Sequence, residues 1–89
     1  MSTPIDTDNI AMDGSWIRTV IDPSWHSVII KMRETNVILN VRGYGETSTY
    51  FTIAVGSQII LNTEEFTNDE FIEFKAASGT LEILGFLRK

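Results

Sequence analysis

The chain has 89 residues, 43% of them hydrophobic, and a formal net charge of −5, so we expect one folded domain with a modest core. Only seven scattered Lys and Arg residues are present, which argues against a nucleic-acid partner and against binding to an anionic membrane. No cysteine is present, which excludes disulfides, thiolate zinc sites and cysteine nucleophiles.

Targeting and membrane-spanning signals are not visible in the sequence. No stretch approaches the ~18 consecutive apolar residues that a membrane span requires. The first ten residues are polar and acidic, unlike the basic start of a secretory signal. We therefore expect the chain to be made in a cytoplasm.

Taken in order, the chain begins with a polar stretch and continues as short alternating runs. Residues 1–14 have few apolar side chains and predict an N-terminal arm, held either by the domain or by a neighbouring chain. Turn residues such as Asp22-Pro23-Ser24 and Gly56 then separate runs of alternating polarity. The predicted strands of this part are 15–21, 26–33, 37–42, 49–55 and 57–62. Residues 63–69 form either a loop or a single helical turn.

The last part of the chain, residues 70–87, is its most apolar hairpin candidate. Runs rich in β-branched and aromatic residues flank Ala77-Ser78-Gly79, which predicts a β-hairpin around which the other strands pack. Seven short strands thus follow one another at a spacing of roughly ten residues, without a sustained helical period. Residues 15–89 are therefore predicted to form an all-β domain, a small antiparallel β-sandwich or jelly-roll-like barrel with an extended N-terminal arm.

Large apolar residues remain on the strand faces that point away from the predicted core. A solvated sheet face is normally polar, so a contiguous apolar patch there indicates an interface. A strand register shifted by one residue would exchange the two faces, and the arm or a loop is an alternative cover for them. We expect a subunit contact built from some of the predicted interface residues Ile29, Ile38, Ile60, Phe71, Leu84 and Phe86.

The chain contains little that favours catalysis or metal binding. His26 is the one histidine and follows Trp25 at the start of a strand, without an acidic neighbour, so an ordinary strand-end residue is the favoured interpretation. Asp6-Thr7-Asp8 begins like a calcium loop, but Ala11 and Ile17 occupy the positions of its glycine and its last glutamate. We therefore expect a non-enzymatic protein with no cofactor and no metal.

Carbohydrate binding is the main small-ligand hypothesis. Sugars stack on exposed aromatic rings, and the alternative for such rings is a place in a small core, where each buries a large area. The candidate residues are Trp16, Trp25, Tyr44 and Tyr50.

Residues 50–88 resemble a known family. The run Tyr50-Phe51-Thr52-Ile53-Ala54, followed by Gly56, and the later run Phe74–Gly85 (FKAASGTLEILG) are similar to small β-sandwich structural proteins of tailed-phage virions. The resemblance implies a component of a virion, made in the host cytoplasm. It also implies a capsid decoration (cement) protein or a head or tail accessory protein, without catalytic residues. The expected partners are major capsid or tail subunits and further copies of the same chain.

Overall fold

The computed structural model of the chain describes residues 5–22, 24–43, 45, 47–62 and 70–87. Within these residues the chain forms strands and no helix. The eight strands are β1 (Ile5–Ala11), β2 (Ile17–Ile21), β3 (Trp25–Met32), β4 (Leu39–Gly43), β5 (Phe51–Ile53), β6 (Gln58–Asn62), β7 (Glu70–Lys75) and β8 (Thr80–Leu87). The segment 63–69, predicted as a loop or a helical turn, lies outside the described residues.

The strands form two antiparallel four-stranded sheets. The first sheet has the order β1-β8-β3-β6 and the second the order β2-β7-β4-β5. Strand β1 pairs with β8, β2 with β7, β3 with β6, and β4 with β5, as in one long hairpin wrapped around itself. This pairing is that of a jelly roll, so the predicted fold class, a small all-β sandwich, is confirmed.

The predicted hairpin over residues 70–87 is wrong, although both of its strands exist. Strand β7 lies in the second sheet and β8 in the first, so the connection between them crosses from one sheet to the other. Backbone hydrogen bonds fasten this corner, from Gly14 N–H to Ala76 O and from Met12 N–H to Gly79 O. Because Phe74 and Leu81 are both fully buried, each strand supplies an apolar face to a different layer of the sandwich.

The extended N-terminal arm is not confirmed for its described part. Residues 5–11 form β1, an edge strand that pairs with β8. Asp6 and Asp8 lie opposite Gly85 and Ile83, on the inward side of the edge strand, and both are exposed. Inward charges on an edge strand oppose pairing with another chain, so the sheet faces are better suited than this edge to contacts between molecules.

The core lies between the two inner faces. It is built from alternate residues of both sheets, which confirms the predicted alternation in β3, where Val28 and Ile30 are fully buried. Trp25 belongs to the same core: it is 8% exposed, and its indole lies against the backbone of Gly85. The largest fully buried side chains are Phe74, Ile21, Ile30, Leu39, Leu81 and Val28.

Candidate functional site

The outer face of the first sheet carries a contiguous group of apolar side chains. Strand register places Leu84, Ile29 and Ile60 side by side in one row across β8, β3 and β6. The neighbouring row begins with Ile5 and Phe86, which face each other on β1 and β8. We call these five residues, Ile5, Ile29, Ile60, Leu84 and Phe86, the apolar face.

Exposure within the apolar face rises toward the edges of the sheet. Ile60 on edge strand β6 is 62% exposed and Ile5 on edge strand β1 is 40% exposed. Ile29, Leu84 and Phe86 on the central strands are half-buried by their neighbours. The apolar face therefore unites four of the six predicted interface residues and adds Ile5.

A polar row borders the apolar face on one side. The Glu82 carboxylate forms salt bridges with Lys31 Nζ and with Arg33 Nε, both at 3.1 Å. The hydrogen bond from Lys31, and then that from Arg33, lowers the pKa of Glu82 below its ordinary value of 4.5. A shallow depression of about 290 Å³ lies between this row and Leu84, so the border is both charged and concave.

The structure does not bring the two remaining predicted interface residues to the apolar face. Ile38 lies in the connection between β3 and β4 and is 51% exposed. Phe71 is on the outer face of the second sheet, where the Arg18 guanidinium carbon lies 4.9 Å from its ring centroid. Ile38 and Phe71 therefore lie apart from the other four residues of the predicted set, Ile38 in a connection and Phe71 on a strand of the second sheet.

The outer face of the second sheet has a different chemistry. The Arg42 guanidinium carbon lies 4.0 Å from the Trp16 ring centroid, and Lys75 Nζ lies 5.8 Å from it. The Tyr50 ring centroid is 6.2 Å from that of Trp16, with the two planes inclined at 60°. We call these four residues, Trp16, Arg42, Tyr50 and Lys75, the aromatic–cation cluster.

Polar side chains next to the aromatic–cation cluster are held by hydrogen bonds. Arg42 Nε donates to Glu73 Oε1 at 2.9 Å, and both side chains are less than one fifth exposed. Thr52 Oγ1 donates to Asn40 Oδ1 at 3.0 Å. Asn40 is the register partner of Lys75, so its amide lies beside the cluster.

The four sugar-binding candidates lie in different parts of the molecule or outside its described residues. Trp16 and Tyr50 meet in the aromatic–cation cluster, where Tyr50 is 63% exposed. Trp25 is buried, so its prediction as an exposed sugar platform is wrong: its large ring fills the core over a glycine. Tyr44 lies outside the described residues.

The candidate-site residues that the sequence did not predict have weak sequence signals. Ile5 is isolated among polar residues, and Arg42 and Lys75 are far from Trp16 in the chain.

The described residues contain no group of three or more His, Asp or Glu side chains that could hold a metal ion. Nor do they form a helix long and apolar enough to cross a membrane.

Comparison of the chain with protein-family models, with curated proteins and with solved structures finds no match. The two outer sheet faces and the resemblance of residues 50–88 remain as the indications of function.

Proposed function

We propose that this protein is a non-enzymatic structural protein that assembles through the apolar face of its first sheet. The resemblance of residues 50–88 to small β-sandwich proteins of tailed-phage virions gives the setting. In that setting the protein is a capsid decoration (cement) protein or a head or tail accessory protein. Its partners are larger virion subunits and further copies of itself.

The observation that carries this proposal is the contrast between the two outer faces of one molecule. At the described outward positions of the second sheet, Arg18, Glu73 and Arg42 form a charged row, as expected for a solvated face. The apolar residues Val20 and Phe71 also face each other there, but they span two strands. In the first sheet, the row of Leu84, Ile29 and Ile60 is apolar across three strands. Covering apolar surface of this kind with another protein lowers the free energy of the system.

The dimensions of the face determine how strong such a contact is. Four strands at ~4.8 Å and three rows of outward residues at ~6.8 Å, the polar row included, give the outer face of the first sheet an area of roughly 400 Å². A standard interface buries about 800 Å² per partner, so two isolated copies meet weakly, with a Kd of roughly 10 µM to 1 mM. Repeated contacts on a larger assembly raise the overall affinity without new chemistry, which suits a lattice-binding protein.

The test is a concentration series of sedimentation velocity with two matched variants. Ile60→Asp places a charge on an exposed edge-strand position of the apolar face, while Val20→Asp does so on an exposed edge-strand position of the other sheet. We expect wild type and Val20→Asp to self-associate at concentrations up to about 1 mM, and Ile60→Asp to remain monomeric. Equal behaviour of the two variants, or a wild type that stays monomeric throughout, would count against the proposal.

A further inference from the structure

We propose that the outer face of the second sheet is a binding site for a saccharide that carries a carboxylate. Arg42 and Lys75 hold the carboxylate, and Tyr50 packs against the sugar ring. The site is on the opposite side of the sandwich from the apolar face, so both surfaces can be occupied at once.

Cations outnumber acidic side chains at the described outward positions of the second sheet. The protein has a net charge of −5, yet the described outward positions of the second sheet carry three cations: Arg18, Arg42 and Lys75. Glu73 is the one acidic side chain at those positions. One of the three, Arg42, is paired with Glu73. A local excess of positive charge on an acidic protein attracts a small anion.

Arg42 is held in place before any ligand arrives. Its Nε is bonded to Glu73, and its guanidinium lies over the Trp16 ring. Within the described part of the chain, its terminal Nη groups have no hydrogen-bond acceptor. A guanidinium fixed in this way presents a planar pair of donors, which matches the two oxygens of a carboxylate.

Lys75 supplies a second charge beside the same ring. Its Nζ is 5.8 Å from the Trp16 centroid, and no described carboxylate is within ion-pair distance of it. The neighbouring Asn40 accepts a hydrogen bond from Thr52 through Oδ1. This orientation leaves the Nδ2 donor of Asn40 for a ligand hydroxyl.

The ring of Tyr50 completes the chemistry of a sugar site. Tyr50 is 63% exposed, and its ring centroid is 6.2 Å from that of Trp16. The apolar surface of the Tyr50 ring therefore lies near Arg42 and Lys75. An exposed aromatic ring with a polar tip packs against the C–H face of a pyranose. Nucleic acids carry one charge per phosphate, and the net charge of the chain repels such polyanions, so a singly charged ring sugar fits better.

The experiment is an NMR titration of the ¹⁵N-labelled full chain with galacturonic acid and with its methyl ester. The two probes have the same ring and hydroxyls, and they differ in charge. We expect the acid to bind with a Kd of about 1 mM, and the ester at least about tenfold more weakly. The shifted amides should belong to β4, β7 and residues 47–50.

Three variants separate the contributions. Lys75→Gln should weaken binding of the acid about tenfold and leave that of the ester unchanged, while Tyr50→Ala should weaken both. Lys31→Gln removes the same charge from the first sheet and should change neither. Equal affinity for acid and ester, shifts confined to the first sheet, or no shifts up to about 20 mM would overturn the proposal. The spectrum of each variant also shows directly whether it is folded.

Discussion

A methyl group at Gly85 should disturb the core at Trp25. A Cβ at this position would lie 2.5 Å from the indole carbons Cδ2 and Cε2 and 2.8 Å from Nε1. Carbon atoms in contact are ~3.5 Å or more apart, so the ring must move by roughly 1 Å. Because Trp25 is 8% exposed and packed within the core, this movement strains its neighbours too.

The expected loss of stability in Gly85→Ala is the balance of two opposing contributions. Overpacking a well-packed core costs about 1–3 kcal/mol. Replacing glycine by alanine within a strand stabilises the folded state by up to ~1 kcal/mol, because the unfolded chain loses conformational freedom. We therefore expect Gly85→Ala to lower the free energy of unfolding by about 1–2 kcal/mol, a large share of the stability of so small a domain.

The assay is urea unfolding followed by circular dichroism, with two companion variants. Gly43→Ala is the matched control, since a Cβ there meets nothing within 4 Å, and its stability should equal or slightly exceed that of wild type. Trp25→Phe should rescue Gly85→Ala in part, because the smaller ring leaves room for the methyl group. If Gly85→Ala behaves like Gly43→Ala, or if the two changes at Trp25 and Gly85 are simply additive, the packing described here is wrong.

Two further changes test the contacts around β8. Because the hydrogen bonds from Lys31 and Arg33 lower the pKa of Glu82, they stabilise the fold above pH 4.5, and this stabilisation is lost as the pH falls through the folded-state pKa. In urea unfolding at a series of pH values, Glu82→Gln should lose less stability below pH 4.5 than wild type; parallel curves would contradict this. Gly79 has φ +90°, and a Cβ there would meet the Glu34 carboxylate, so Gly79→Ala should cost about 1–3 kcal/mol. A thermal melt unchanged from wild type would contradict that cost.

The sequence predicted the positions of strands better than their partners. Alternating polarity placed β3 within one residue of its observed bounds, because a two-residue period shows which side chains share a face. The same period does not say in which sheet a strand lies. Phe74 and Leu81 therefore suggested one hairpin, although they belong to opposite layers. Strand β1 was not predicted, because its inward positions include the polar residues Asp6 and Asp8 and therefore lack the apolar alternation of a strand.

The candidate sites depend on the same difference between local pattern and pairing. Ile29, Ile60 and Leu84 were recognisable as outward apolar residues, and register alone shows that they are neighbours. The aromatic–cation cluster joins Trp16 and Lys75, which only the pairing of β2 with β7 brings together. Trp25 could not be assigned to core or surface, because a tryptophan beside a turn is compatible with both.

The proposed contact between molecules is the apolar face of the first sheet. The most direct measurement compares ¹H–¹⁵N spectra of the wild-type chain recorded at low and at high protein concentration. We expect concentration-dependent shifts for amides of β3, β6 and β8 around Ile29, Ile60 and Leu84, and we expect Ile60→Asp to abolish them. Shifts confined to the second sheet, or spectra that do not change with concentration, would contradict it.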